Sequence, residues 1–243
     1  MLFGSILGDR KTQKRIFLNA GHSNNDPGII IGNLKEADEV KKVRDFLSVM
    51  LLKGGFEVVA IPDEYNLRQS IDFVNEKAWL EDMGLAIDIH LNFVGQQTDC
   101  TLSGCPPSVS GTEVYSGNSV GEKAQAAILS ESLSQTIGTK NRGWKSQSQS
   151  AFGSLGWISQ IKCWSHIIEC LYLSDINDRK LIEDGRHREI AQGIYAGILR
   201  LYGMSDPAEI KEDPRIPLML KIKELTAMVV SLMSQLINKL KGH

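Results

Sequence analysis

The sequence predicts an α/β fold, with a mostly parallel central sheet flanked by helices and a C-terminal amphipathic helix added to it. Three observations lead there. Strand-like apolar runs alternate with helical periods from Arg15 onward, the βαβ pattern of a parallel sheet. Several helical stretches close on glycine, as helix ends do. After Gly203 the composition shifts to proline and charge, and then to a heptad-like apolar stripe.

The elements follow in order. Residues 1–14 form an N-terminal extension, and RIFLNA (Arg15–Ala20) is the first strand, ending at Gly21. A Gly/Asn/Pro loop precedes EADEVKKVRDFLSVMLLKGG, whose apolar residues Ala37, Val40, Val43, Leu47, Met50 and Leu51 keep helical spacing up to Gly54-Gly55. FEVVAI (Phe56–Ile61) reads as a strand, Leu67–Met83 as a helix and LAIDIHL (Leu85–Leu91) as a strand. Phe93–Ser110 reads as an inserted polar loop, TEVYS as a short strand, and VGEKAQAAILSESLSQTIG as a helix ending at Gly138. Asn141–Gly156 is rich in Ser, Gln and Gly and reads as a loop; SHIIECLYL (Ser165–Leu173) is an apolar strand interrupted by Glu169. One long helix is expected over Asp178–Tyr202, with Ile190, Ile194 and Ile198 on one face. Residues 15–203 thus form one domain and residues 204–216 a linker. Residues 217–243 form a helix in which Leu218, Ile222, Leu225, Val229, Leu232 and Leu236 step by four and three.

Composition narrows the function classes. Apolar residues are 42% and charged residues 23%, the balance of an ordinary globular chain. A net charge of −2 leaves no electrostatic footprint for nucleic acid. From Pro214 onward five basic residues face one acid, so a basic segment follows an acidic body. That segment is expected to join copies of the chain into a homo-oligomer; contact with an anionic membrane surface is the second choice. The four cysteines form no CxxC pair and read as thiols of a reducing cytoplasm, although Cys100 and Cys105 share one loop. MLFGSILGDRKTQKR places its basic residues after a short apolar stretch, unlike a secretory signal, so the chain is expected to be made in the cytoplasm without one.

Four residues stand apart from the scaffold. His22 follows the first strand, His90 ends AIDIH, Glu36 opens a helix and Glu169 lies within HIIECLYL. Each has an ordinary reading alone: polar lining for His22, a first-turn helix carboxylate for Glu36, and a hydrogen-bonded core histidine for His90. Glu169 is harder to explain that way, because a carboxylate amid Ile, Ile, Cys and Leu is costly unless paired or near a metal. Carboxyl ends of parallel strands share one sheet edge, where sites are built. Two histidines and a carboxylate there suit a catalytic Zn²⁺ with an open fourth position: His22, Glu36 and His90 as ligands, with Glu169 left for acid–base work.

These residues carry a family resemblance. NAGHSNNDPGIIIGNLKEAD resembles the opening motif of the zinc-dependent N-acetylmuramoyl-L-alanine amidases of the Amidase_3 type: Gly-His, then Asp-Pro-Gly, then Glu. DIHLN is similar to the family's second motif, a strand ending His-x-Asn, here His90 and Asn92. GTEVYS, NRGWK and HIIECLYLSDINDRKLI resemble the segments that follow, and the likeness spans residues 15–202. Ser23-Asn24 stand in place of the usual Gly-Gly, and Asp88 stands where Ser is common.

The resemblance implies an Amidase_3-like fold and one Zn²⁺ on His22, Glu36 and His90. It implies Glu169 as the catalytic carboxylate and peptidoglycan as the substrate, cut between N-acetylmuramic acid and L-alanine. Together with the missing signal, it implies an enzyme that reaches the cell wall by another route, such as a phage lytic enzyme or one carried by a tail or injection machine. A wall-binding protein without activity and a zinc peptidase on another amide are the alternatives. Asn92, Trp144 and Phe152 are candidate groove residues; Trp144 and Phe152 serve equally well as loop anchors.

Overall fold

A computed structural model describes residues 14–78, 84–95 and 109–205. The N-terminal extension, most of the Phe93–Ser110 loop with Cys100 and Cys105, and the C-terminal helix all lie outside the described residues.

The element order is β1 (Arg15–Ala20), β2 (Ile30–Ile31), β3 (Leu34–Lys35), α1 (Glu36–Lys53), β4 (Glu57–Ala60), α2 (Leu67–Lys77), β5 (Leu85–Asn92), β6 (Thr112–Ser116), α3 (Val120–Ile137), β7 (Asn141–Ser146), α4 (Gly156–Gln160), β8 (Trp164–Tyr172), α5 (Ile176–Glu183) and α6 (His187–Leu201). Six strands form one sheet in the order β4-β1-β5-β8-β6-β7. The β4, β1, β5 and β8 strands are parallel, β6 runs antiparallel to β8, and β7 follows β6. This is the mostly parallel, helix-flanked sheet the sequence predicts.

Strand alternation gives the sheet two unlike faces. On one, Phe17, Ala86, Tyr115 and Ile167 pack with Ile71 and Val74 of α2 and Trp157 and Ile158 of α4. The opposite positions, Ile16, Leu18, Ile87, Ile89, Val114 and Ile168, are wholly buried and face the layer of α1, α3 and α6. That second layer is continuous, and the few polar groups buried in it are bonded, as His166 Nε2 is to Gln125 Oε1 of α3 at 2.8 Å. The first covers only part of its face, and a cavity remains where the carboxyl ends of β1 and β5 emerge.

Two segments depart from expectation. Asp178–Tyr202 is not one helix: α5 and α6 are separated at Asp184-Gly185-Arg186, where Gly185 has φ +75°. The apolar face of α6 is real, but Gly185 stops α5 as glycine does at a helix end. Asn141–Gly156 is not all loop, because NRGWKS forms the edge strand β7 and a short helix begins at Gly156. An edge strand needs pairing on one side only, so it carries polar residues that hide it in the sequence. The expected helix Leu67–Met83 is helical over Leu67–Lys77, and residues 79–83 lie outside the described part. No described helix is long and apolar enough to cross a membrane.

Polar contacts lock α1 against its neighbours and so fix its first turn. His187 Nε2 of α6 lies 2.6 Å from Glu39 Oε2. Buried Arg44 pairs with Asp63, whose carbonyl accepts the amide of Asn24 at 2.8 Å. Asn24 Oδ1 in turn accepts Lys41 Nζ at 2.8 Å, and Ser23 Oγ accepts the Asn25 amide at 3.3 Å. In Ser23-Asn24, the departure from Gly-Gly, the Asn24 side chain therefore ties the first loop to α1, and the Ser23 side chain braces the loop internally.

Candidate metal centre

His22 is built on a strained turn. It is the one non-glycine residue with positive φ, +69°, among the described residues, directly after Gly21. Such a backbone costs on the order of 1 kcal/mol or more and persists when the surroundings impose it. Here Gly21 N–H is held by the Ile89 carbonyl at 2.8 Å, and His22 Nδ1 sits 2.9 Å from Asp26 Oδ2. The ring is thus turned so that Nε2 lies 2.9 Å from Glu36 Oε2.

Glu36 opens α1, where the helix dipole favours a carboxylate. It is 2% exposed, so its oxygens must be satisfied by the protein or by an ion. Oε2 accepts the Ile29 amide at 3.2 Å, and Oε1 accepts the Leu91 amide at 3.0 Å. That second donor exists because the β5–β8 register shifts between His90 and Asn92. A bulge of this kind frees a ladder amide and re-aims a side chain at a site.

His90 completes the group. Its Nδ1 lies 3.1 Å from Glu36 Oε1 and its Nε2 3.2 Å from Asp88 Oδ2. The two imidazole rings meet edge to face with centroids 5.0 Å apart. One ligand atom each from His22, Glu36 and His90 lies within 4.8 Å of the others. Two imidazoles and one carboxylate converging on one point fit a zinc ion, with a position left for substrate or water. Glycine is needed beside this point: a Cβ on Gly28, at φ +64°, would lie 2.5 Å from His22 Cδ2 and 2.7 Å from Glu36 Oε2.

The electrostatics agree with the geometry. Burial alone would raise the Glu36 carboxyl, but hydrogen bonds and charge from His22 and His90 hold it well below the ordinary carboxylate range. Burial works against protonation of His22 and His90, and Glu36, with Asp88 at His90, outweighs it, so both are raised. Glu169 lies opposite His90 in the β5–β8 pairing, about one strand spacing away. Its Oε2 is sealed from solvent and makes no hydrogen bond. Burial pushes its pKa up to about 8, opposed by nearby His90 and helped by Glu36, Glu113 and Asp88.

A cavity of about 470 Å³ opens on this group, lined by Asn19, His22, Asp88 and His90 below and by Leu67, Leu155 and Phe152 at the sides. Phe152 is 85% exposed. Trp144 is not brought to the cavity: it pairs with Val114 across β6–β7, its ring lies 4.5 Å from Lys123 Nζ of α3, and its Nε1 is buried. Asn92 belongs to a neighbouring polar cluster, donating through Nδ2 to Glu113 Oε1 at 3.0 Å.

The sequence alone does not assemble that cluster. Buried Glu113 accepts Tyr172 Oη at 2.9 Å and Tyr115 Oη at 3.2 Å on Oε1, and Arg142 Nε at 2.7 Å on Oε2. Glu113 pairs with Glu169 across β6–β8, so a fully bonded carboxylate stands beside an unbonded one. Its signal was present in TEVYS, where Glu113 and Tyr115 share one face of the strand.

The profile of the N-acetylmuramoyl-L-alanine amidase family Amidase_3 matches residues 16–200. No curated protein matches the chain. Among solved structures, the catalytic domain of the amidase CwlV from Bacillus (Paenibacillus) polymyxa var. colistinus aligns with a TM-score of 0.64 at 20% identity, covering 79% of this chain and 99% of that one. An N-acetylmuramoyl-L-alanine amidase of Nostoc punctiforme aligns at 0.62 and 21%, covering 78% and 97%. One from Clostridium difficile aligns at 0.62 and 21%, covering 76% and 95%. The site geometry, the fold and the family match agree: this chain belongs to the N-acetylmuramoyl-L-alanine amidase family, a family of hydrolases.

Proposed function

We propose that the chain is a zinc-dependent peptidoglycan amidase that hydrolyses the amide between the lactyl group of N-acetylmuramic acid and L-alanine. The observation that carries this reading is the convergence of His22, Glu36 and His90 within 4.8 Å, next to Glu169, whose Oε2 is sealed from solvent and makes no hydrogen bond. His22, Glu36 and His90 would hold the zinc, which would supply a Lewis acid to polarise the scissile carbonyl and activate water. Glu169 Oε2 accepts a proton from the attacking water and returns it to the departing nitrogen of L-alanine. A carboxyl held up to about 8 suits this exchange, because it binds and releases a proton near neutral pH. Positive charge on the donor set lowers it toward the ionised form needed at the start of a cycle.

The cavity walls suit a sugar–peptide junction. Phe152 presents an exposed aromatic face at the rim, while Leu67 and Leu155 give apolar sides. Asn92 lies outside the cavity lining, bonded to Glu113, so it is not offered as a groove residue. Homo-oligomerisation through residues 217–243 belongs to the same proposal and is supported by the heptad spacing. Equal masses by light scattering for the full chain and residues 1–206 would refute it.

The activity is tested by digesting purified peptidoglycan with and without chelator. New L-alanine amino termini without new reducing ends, abolished by chelator and restored by Zn²⁺, are expected. New amino termini at other stem-peptide residues would instead make it a peptidase, and none at all a wall-binding protein.

A further inference from the structure

We propose that Asp88 is a positioning residue that fixes which nitrogen of His90 meets the metal. This rests on the reading of His22, Glu36 and His90 as zinc ligands. His90 offers two nitrogens, and the structure gives them different neighbours: Nδ1 faces Glu36 Oε1 at 3.1 Å and Nε2 faces Asp88 Oδ2 at 3.2 Å. A carboxylate oxygen only accepts hydrogen bonds, so Nε2 must carry the hydrogen in this contact. Nδ1 faces the Glu36 carboxylate in the same way, but it lies on the side where Glu36 and His22 converge, so an ion held there would take the place of its hydrogen and leave Nε2–H on Asp88. At His22 the assignment is reversed: Asp26 takes Nδ1 at 2.9 Å, and Nε2 faces Glu36. The two ligands therefore present opposite ring nitrogens to one ion, each held by its own aspartate.

Three features show that Asp88 is placed for this role. It is 3% exposed, and its other oxygen, Oδ1, accepts Asn19 Nδ2 at 2.8 Å, so the carboxylate is fixed in rotation. Asn19 stands beside Asp88 in the β1–β5 pairing, which makes the support part of the sheet. The His90 ring packs directly on Gly21, where a Cβ would come within 2.4 Å of Cε1, so the absence of a side chain at Gly21 leaves the ring its place beside Asp88. Asp88 is not itself in the converging donor set, which contains His22, Glu36 and His90. A carboxylate on the outer nitrogen of a ligating histidine sets its tautomer and raises its basicity, and its loss costs roughly 10- to 100-fold in metal affinity.

The test uses the full-length protein. Zinc affinity is measured by competition with a chromogenic chelator for the parent, Asp88→Ala and Asp88→Asn, with circular dichroism as the check on folding. Asp88→Ala should bind zinc roughly 10- to 100-fold more weakly, and Asp88→Asn, which keeps an acceptor oxygen, should recover part of the loss. In parallel, long-range ¹H–¹⁵N spectra of the zinc-loaded parent should show one histidine metallated through Nδ1, assigned to His90, and one through Nε2. Equal affinity in the parent and a folded Asp88→Ala overturns the inference. So does metallation of His90 through Nε2, which can be read even if the variant does not fold. A parent that binds no zinc overturns the metal reading itself, and this inference with it.

Discussion

Glu36 Oε1 and His90 Nδ1 lie 3.1 Å apart although 54 residues separate them in the chain, and the second oxygen of Glu36 lies 2.9 Å from His22. One buried carboxylate thus gathers two imidazoles at the mouth of the sheet. His22→Ala, Glu36→Ala and His90→Ala should each lower zinc affinity by more than about 100-fold, beyond the range of outer-shell changes. Metal content after dialysis against a weak chelator checks this.

Glu169 should behave differently. It faces no ligand atom in a hydrogen bond, so Glu169→Gln is expected to keep zinc at the parent stoichiometry. Hydrolysis should fall by roughly 10² to 10⁴, the range of a positioned general acid–base group. Amino termini released from peptidoglycan, measured beside metal content, give both readouts.

The raised pKa of Glu169, about 8, also makes a stability claim for the metal-free protein. A carboxyl raised on folding holds its proton longer in the folded state than in the unfolded one. The contribution is therefore fully present below the unfolded value of about 4.3 and is lost as pH rises through the folded value. The metal-free parent should lose stability between about pH 4.5 and 8 through this group. Glu169→Gln should flatten that part of the profile. Thermal unfolding of both proteins across this pH range tests it, and parallel profiles would count against the burial of an ionisable Glu169.

Two glycines separate backbone strain from damage to the site. Gly32 has φ +60°, and a methyl added there would meet nothing within 4 Å, so Gly32→Ala costs roughly 1 kcal/mol of strain and leaves zinc binding alone. Gly28 has φ +64°, and a methyl there would meet His22 and Glu36, so Gly28→Ala should cost roughly 1–3 kcal/mol and also weaken zinc binding. Chelator competition on the two variants distinguishes these outcomes.

Phe152 and Trp144 should also part ways. Phe152 is 85% exposed at the cavity rim, so Phe152→Ala should change stability by less than about 0.5 kcal/mol while raising KM for wall fragments. Trp144 packs on the α3 side of the sheet under Lys123, so Trp144→Ala should cost ~2 kcal/mol and leave KM near the parent value.

What the sequence showed and hid follows from what each residue depends on. Strands β1, β5 and β8 are buried on both faces and read as apolar runs, so Glu169 and His90 stood out against them. His22 and Glu36 were legible because a helix start and a strand end are local events. The polar edge strand β7 looked like loop, since its pairing with β6 is a non-local fact. The break between α5 and α6 was marked only by Gly185. Glu113 reads as an ordinary acid in a strand, and Asp88 only as a departure from Ser, until register sets one beside Glu169 and the other beside His90.

In the proposed function, holding the metal and moving the proton fall to separate residues. The most direct test is zinc content and peptidoglycan hydrolysis measured on the same preparations of parent, His22→Ala and Glu169→Gln. One zinc per chain with release of L-alanine amino termini is expected for the parent, neither for His22→Ala, and zinc without hydrolysis for Glu169→Gln. Hydrolysis by Glu169→Gln at the parent rate, or by His22→Ala without zinc, would contradict this division of roles.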